Sequence, residues 1–293
     1  MTTASASSSS LLNKTIVFYG AGSMAEAIVR GIVETGVAAP GNVTVLNRSN
    51  GDRLLELQKR YGVVPALTEE QKNAALAESD IVVLGMKPKD SATALLALKP
   101  HLRPNQLIVS LIAGLTIGTI QQLLASEQPV IRTMPNTSSS IGLGATGISF
   151  SASVPEDGRA LALSMFQAIG IAAVVEENLL QTVTAVSGSG PAYIYYMMEA
   201  MIRSGIEQGL SLDAASELVV QTVRGAAEMV RTTGEDPAEL RRKVTSPNGT
   251  TQAAIETLER LGFPEAIDKA MLRCAERAEE MGQAIADEAF ARK

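Results

Sequence analysis

Gly20-Ala21-Gly22-Ser23-Met24-Ala25 stands between an apolar run, Thr15-Ile16-Val17-Phe18-Tyr19, and a segment of helical spacing. Strand, glycine turn and helix in that order form the phosphate-holding corner of a dinucleotide-binding fold. Gly20 permits the tight turn, Gly22 lets the backbone approach a pyrophosphate, and Ala25 stands where a small residue packs helix against strand. N–H groups at the helix start, with the helix dipole, then favour the phosphates. A bare GxGxxA is not diagnostic. Its place directly after the first predicted strand selects the nucleotide reading over an ordinary turn.

The second strand, Val43–Leu46, ends in Asn47-Arg48-Ser49. NAD-preferring sites carry an acid here for the ribose hydroxyls. Positive charge and hydrogen-bond donors stand there instead, which suits the 2′-phosphate of NADP; a solvated polar loop is the alternative. NADPH is therefore the expected cofactor and NADH the weaker one.

Strand-like runs at Thr15–Tyr19, Val43–Leu46, Ile81–Gly85, Leu107–Ser110 and Val130–Met134 alternate with amphipathic segments. That pattern predicts βαβ units and a mostly parallel sheet, with Gly147–Phe150 and Ala172–Val175 as added edge strands. Beyond Glu176 helical spacing takes over, at 192–208, 213–232, 237–243, 250–261 and 264–286. The expected fold is thus an α/β Rossmann-like domain over 14–176 and an all-α domain over 177–293. Faces rich in Ala, Gly and Met suit burial against a second subunit, with a self-contained bundle as the alternative.

Composition removes other classes. A net charge of −6 and 3% aromatic residues argue against nucleic acid as a partner. One cysteine, Cys274, and one histidine, His101, allow neither a disulfide framework, nor a Cys- or His-rich metal site, nor a His-based triad. No apolar run reaches membrane-spanning length. Residues 1–13 begin Ser/Ala/Thr-rich, with no Lys or Arg before Lys14, and read as a disordered tail on a cytoplasmic protein.

Four further segments carry chemistry. Met86-Lys87-Pro88 and Arg132-Thr133-Met134-Pro135-Asn136-Thr137 follow strands, at the sheet edge where α/β ligands bind. Lys87 can anchor a cofactor or simply be solvated. Asn136 can reach a nicotinamide, and Arg132 can be a structural ion-pair partner. Ser187-Gly188-Ser189-Gly190-Pro191 breaks the helical pattern, either as a kink or as the backbone-lined wall of a substrate cleft. Ser246-Pro247-Asn248-Gly249-Thr250-Thr251 opens a helix and clusters N–H donors for a carboxylate, with the Thr251 hydroxyl beside them; an ordinary capped helix start is the alternative.

GAGSMA, MKP, RTMPNT, AVSGSGPAY and TSPNGTT, in this order, resemble the Δ1-pyrroline-5-carboxylate reductase family, from about Lys14 to Glu280. The resemblance implies NADPH-dependent reduction of a cyclic imine to L-proline, by subunits that interlock into dimers and often decamers. It implies that Gly20, Ala21, Gly22, Ser23 and Met24 hold the pyrophosphate and Asn47, Arg48 and Ser49 the adenosine end. Asn73 matches a position near the ribose, and Met86, Lys87 and Pro88 match a cofactor loop. On the substrate side it implies Gly249 and the amides of Thr250 and Thr251 at the carboxylate, Thr251 at the ring nitrogen as the catalytic residue, and Glu177 lining the site. Three positions depart from the family pattern: Asn248 for Gly, Ser138 for Pro and Met86 for Val. Asn tolerates left-handed backbone angles, which favours survival of the Asn248 loop. A β-hydroxyacid dehydrogenase would want a Lys after Gly188-Ser189-Gly190, where Pro191, Ala192 and Tyr193 follow. Another imine reductase, or an NADP-binding regulatory protein, remains as an alternative.

Overall fold

A computed structural model describes residues 10–291. Its first part alternates β1 (Ile16–Tyr19), α1 (Ser23–Glu34), β2 (Val43–Leu46), α2 (Gly51–Tyr61), β3 (Val64–Pro65), α3 (Glu69–Glu78), β4 (Ile81–Leu84), α4 (Ser91–Leu98), β5 (Leu107–Ser110), α5 (Ile117–Leu124) and β6 (Val130–Met134). Then come β7 (Gly144–Phe150), α6 (Glu156–Gln167) and β8 (Gly170–Val174). The eight strands form one sheet in the order β3-β2-β1-β4-β5-β6-β7-β8. The first six run parallel; β7 is antiparallel to β6, and β8 is parallel to β7.

Central parallel strands are covered on both faces, which is why Ile81-Val82-Val83-Leu84 is apolar and buried throughout. Alternate residues feed two cores. Ile16, Phe18, Val83 and Val109 pack with α1, α2 and α6; Val17, Val82, Leu84 and Ile108 pack with α3, α4 and α5. The predicted disordered tail, residues 1–13, is described only from Ser10. Its first nine residues lie outside those described, but Ser10 caps a short turn through the Leu12 N–H, and Leu11 is buried in the first core. The part of the predicted tail at residues 10–13 is therefore structured, because Leu11 removes apolar surface from water.

After β8 the chain is helical: α7 (Leu180–Val183), a π-helical turn (Thr184–Gly188), α8 (Gly190–Glu207), α9 (Leu212–Thr233), α10 (Pro237–Lys243), α11 (Thr250–Arg260) and α12 (Phe263–Ala291). By packing, the chain forms two compact units, one ending at Ser189 and resuming at Cys274, the other Gly190–Arg273. Within the second, α8 and α9 pair closely, with a Cβ on Gly205 only 3.4 Å from that of Ala215. Yet only Ala215 and Val219 are buried apolar residues there, while Tyr195, Tyr196, Leu212, Leu218 and Val220 are exposed. A unit with so little buried apolar surface is not a self-contained bundle; its apolar faces call for a partner.

The C-terminal half of α12 returns to the first unit. Ile285 and Ala289 join the second core, and Gly282 lies against the turn at Gly114, whose φ is +81°. A Cβ on Gly282 would stand 2.3 Å from the Gly114 carbonyl oxygen, which is backbone and cannot step aside. Alanine gains about 1 kcal/mol over glycine inside a helix, but overpacking costs about 1–3 kcal/mol. Gly282→Ala should therefore shift the urea midpoint downwards despite its better helix propensity. A raised midpoint would show that α12 is not clamped at this point.

Candidate functional site

The carboxyl ends of β1, β2 and β4 are stitched into one surface. The Gly20 N–H donates to the Leu46 carbonyl at 2.9 Å, and the Gly85 N–H to the Tyr19 carbonyl at 2.9 Å. Gly20 has φ +117°, and a Cβ there would lie 2.6 Å from the Gly85 carbonyl carbon and 2.9 Å from the Met86 nitrogen. The backbone leading into Met86-Lys87-Pro88 thus presses directly on the first glycine of the corner. Ala25 packs on Gly85 from α1, its Cβ 3.5 Å from a Cβ built there.

Gly22 is the N-cap of α1, and a Cβ built on it meets nothing within 4 Å. An open cradle therefore faces the first turn of α1, whose N–H groups at Ser23 and Met24 have no intrahelical acceptor. Anionic groups suit such a place. The residues present fit a dinucleotide pyrophosphate.

Beyond β2, Asn47 is occupied in shaping its own loop: its amide donates to the Asn50 carbonyl at 2.7 Å and accepts the Asn50 N–H at 3.0 Å. The Arg48 side chain is 88% exposed, with Asp90 at 3.8 Å as its only ion-pair contact among the described residues. An exposed pair of this kind is worth little, so Arg48 can turn to a phosphate at small cost. Ser49 is exposed and Asn73 is half-buried in α3. Met86 packs against the second core, Lys87 is exposed, and Pro88 opens a 3₁₀ turn.

Arg53 was invisible in the sequence pattern. It lies in the first turn of α2, and its Nε donates to the Ala21 carbonyl at 3.3 Å, inside the glycine corner. Glu26 of α1 holds its guanidinium, and Glu56 accepts from it at 2.7 Å. The loop after β2 and the glycine corner are therefore braced to each other. An Arg among the charged residues of α2 gives no sequence signal for this, because the Ala21 carbonyl and Glu26 that it bridges to lie outside α2.

At the end of β6 a second cluster forms. The Asn136 amide donates to the Ser187 carbonyl at 3.0 Å and accepts the Ala145 N–H at 3.2 Å. Asn136 is 8% exposed, so its side chain braces the π-helical turn rather than pointing openly at a ligand. The turn is closed by the Ser189 N–H donating to the Thr184 carbonyl at 2.8 Å, and Ser189 Oγ accepts from Cys274. Gly188 lies against the tip of Met134. The motif is thus a helical kink, and such π turns often mark functional sites. Nearby, Glu177 accepts from the Ile117 N–H at 2.7 Å and from Arg132 at 3.1 Å. Burial pushes the Arg132 guanidinium pKa down, opposed by the hydrogen bond and charge of Glu177. Glu177 therefore serves as counter-ion and as cap of α5, whatever else it faces.

The remaining candidates lie in the second unit. Gly190 and Pro191 begin α8, with open space beside Gly190. Gly249 is the N-cap of α11, and Thr250 and Thr251 occupy its first turn. Asn248 adopts φ +59°, the left-handed conformation, and its N–H donates to Gln252 Oε1 at 2.7 Å. Gln252 in turn donates to Glu256 at 2.6 Å. The amides of Thr250 and Thr251 are left without intrahelical acceptors. Among the described residues no group of three or more His, Cys, Asp or Glu could hold a metal ion, and no helix is long and apolar enough to cross a membrane.

A family model described as pyrroline-5-carboxylate reductase dimerisation matches residues 177–281, and one described as NADP oxidoreductase, coenzyme F420-dependent, matches residues 15–114. Pyrroline-5-carboxylate reductase 1 of Bacillus subtilis is 43% identical over 272 residues, 93% of this chain and 91% of the relative. The pyrroline-5-carboxylate reductase of Pseudomonas aeruginosa is 40% identical, over 92% of this chain and 98% of its own. The solved structure of a Coxiella burnetii pyrroline-5-carboxylate reductase superposes with a TM-score of 0.85 at 36% identity, covering 92% and 98% of the two chains. That of the Plasmodium falciparum enzyme, solved with NADP bound, gives 0.82 at 27% identity, over 93% and 99%.

The brace behind the glycine corner titrates. Burial raises the Glu26 pKa, but hydrogen bonds from Arg53 and Tyr61 and the charges of Arg53 and Arg60 outweigh it, leaving the carboxyl below its ordinary 4.5. A depressed carboxylate pKa contributes stability that is present above the unfolded value and lost as pH falls through the folded one. The described fold should thus lose this contribution below pH 4.5, and Glu26→Gln should remove it at every pH. Urea midpoints from pH 3 to 7 should show a flatter acid limb in the variant; superimposable limbs would exclude the coupling.

Proposed function

The chain belongs to the pyrroline-5-carboxylate reductase family, an NADPH-dependent oxidoreductase that reduces Δ1-pyrroline-5-carboxylate to L-proline, and we propose how its own residues do so. The carrying observation is the Asn248–Thr251 turn: a left-handed residue stands where the family has glycine, and the following helix start keeps its N–H groups available. In this reading the amides of Thr250 and Thr251 take the substrate carboxylate, aided by the helix dipole, and Gly249, whose own N–H donates to the Ser246 carbonyl at 3.0 Å, forms the N-cap beside it. The Thr251 hydroxyl accepts a hydrogen bond from the iminium N–H and fixes the ring nitrogen. The π turn with Ser187 and Gly188, and Gly190 and Pro191 at the start of α8, supply backbone walls for the apolar ring, and Glu177 lines the same site through its second oxygen.

Gly20 to Met24 hold the pyrophosphate, and Asn47, Arg48 and Ser49 the adenosine end, with Asn73 at the ribose. Met86, Lys87, Pro88 and Asn136 define the surface along the nicotinamide side. NADPH, when bound, supplies the hydride for the C=N carbon. The chain's task is positioning, which can provide roughly 7–11 kcal/mol. The iminium proton stays on nitrogen as the amine forms, and solvent is its source. Residues 14–176 then serve the cofactor and 177–293 the substrate and the dimer, in a cytoplasmic enzyme whose dimers assemble into decamers.

Following NADPH absorbance with Δ1-pyrroline-5-carboxylate, with NADH and with a pyrroline lacking the carboxylate, tests these roles. Turnover should depend on the carboxylate and favour NADPH, and Arg48→Ala should narrow that preference. Equal turnover of the carboxylate-free ring would remove the Thr250–Thr251 clamp. Thr251→Val, which keeps the amide but loses the hydroxyl, should lower kcat/KM by about 10-fold or more, the worth of a hydrogen bond to a charged group. Unchanged kcat/KM would remove Thr251 from the mechanism.

A further inference from the structure

The connection from β3 to β4 has to cross the sheet. With the strands ordered β3-β2-β1-β4 and parallel, α3 starts at the carboxyl edge and passes over β2 and β1. Its contacts agree: Leu76 of α3 shares a core with Leu46 and Ala66, against which Tyr19 and Ala75 also pack. The first turn of α3 therefore lies on the ligand surface, close to the last residues of β2 and β1. Thr68 and Gln71 fix that turn by a reciprocal capping box, the Gln71 N–H donating to Thr68 Oγ1 at 3.2 Å and the Thr68 N–H to Gln71 Oε1 at 3.1 Å.

Lys72 is held in this turn in an uneven way. Its side chain is only 13% exposed, whereas Glu69, the acid it pairs with at 2.6 Å, is 81% exposed. A cation this covered needs its charge answered, and a carboxylate standing in water answers it weakly. Lys72 shares a helix face with Ala75 and Leu76, three and four residues on, so its stem lies along the sheet. Helix side chains lean towards the helix N-terminus, which carries the ammonium back to the carboxyl edge. The Tyr19 hydroxyl lies in the same field: burial raises its pKa, and the charge of Glu69 raises it further. Cation, acid and hydroxyl thus gather beside the residue that precedes Gly20. Arg48, two residues beyond Leu46, rests on Asp90 in a similar pair. This corner therefore offers two cations, each on an acid that an incoming anion can replace.

We propose that Lys72 is a specificity-determining residue for the cofactor, its ammonium taking the 2′-phosphate of NADPH together with Arg48. The proposal rests on the reading of Asn47, Arg48 and Ser49 as the adenosine end. On binding, the ammonium exchanges Glu69 for phosphate oxygens, and Glu69 stays in water at little cost. The packed stem has already lost its rotamer freedom, so little ordering remains to oppose the exchange. NADH lacks the phosphate and leaves Lys72 on Glu69. Arg48 alone would read a phosphate from an exposed loop; Lys72 reads it from a fixed helix.

Binding without turnover tests this in the full chain. The native enzyme, Lys72→Met, Lys72→Arg and Glu69→Gln would be titrated with NADPH and NADH by nicotinamide fluorescence, and with adenosine 2′,5′-bisphosphate by calorimetry. Lys72→Met keeps the apolar stem and should weaken NADPH and the bisphosphate by about ten-fold, the loss of a charge-assisted hydrogen bond, with NADH unchanged. Lys72→Arg should keep the preference. Glu69→Gln frees the ammonium and should tighten NADPH alone, by about two-fold or more. A role in helix packing alone would change both cofactors alike and would not give Glu69→Gln the opposite sign. Equal changes for the two cofactors in Lys72→Met, or none, would overturn the proposal, as would weaker NADPH binding by Glu69→Gln. If Arg48→Ala narrows the preference and Lys72→Met does not, Lys72 alone is excluded. A native enzyme that binds both cofactors equally removes the adenosine-end reading and Lys72 with it.

Discussion

Two backbones cannot normally approach as Gly20 and Gly85 do, and the site depends on their doing so. A Cβ on either would collide with the other's carbonyl group. This contact lets the turn after β1 and the turn after β4 share one surface, so the phosphate corner and the Met86-Lys87-Pro88 loop are set by the same few atoms. Ala25 then seats α1 against that junction. The direction of the helix, and hence of its N–H groups, follows from a packing contact rather than from any ligand. The corner is preorganised, which is where affinity for a charged cofactor is gained without an ordering cost.

The second constraint is electrostatic. Arg132 lies on β6 in a part of the sheet where its charge is nearly out of water, and it is tolerated because Glu177 answers it. A buried ion pair is weak evidence for stability, since desolvation opposes attraction. Its worth here is geometric: the same carboxylate caps α5 at Ile117, so three segments distant in sequence are fixed together. Asn136 does the same with neutral groups, tying the end of β6 to the start of β7 and to the π turn. Both residues hold the walls of a site in place, which is compatible with roles at the site and independent of them.

Five parallel strands were legible because each is an apolar run buried on two faces, and the glycine turn marked the first. β3 was not, since two residues containing a proline carry no periodicity, and β7 and β8 began earlier than their apolar cores suggest, at Gly144 and Gly170. The helices of the second unit were legible to within a few residues from their spacing and caps. The loop with Asn248 was also readable: an Asn in a glycine position foretold a left-handed backbone, and φ is +59°. Arg53 and the double duty of Glu177 were not readable. Apart from the local Arg53–Glu56 pair, their partners lie tens of residues away, and one sequence holds no trace of such pairings. For Arg132 the sequence left an ion-pair role open without naming the partner.

The position of the single histidine agrees with a proposed mechanism that uses no side-chain acid. His101 stands in the 3₁₀ turn between α4 and β5, at the amino edge of a parallel sheet whose ligand surface is the carboxyl edge. Topology alone keeps it from the reacting atoms. A protonated imine already carries the positive charge that an acid would otherwise create, so little is asked of general acid catalysis. What such a substrate demands is a fixed carboxylate, an oriented nitrogen and a flat apolar wall. In the proposed site, helix-start amides, one hydroxyl and a glycine-rich kink are assigned to those demands, with no titrating group among them. An enzyme built this way should depend on backbone geometry more than on side-chain pKa, and its most sensitive positions are the turns at Gly20, Gly188 and Asn248.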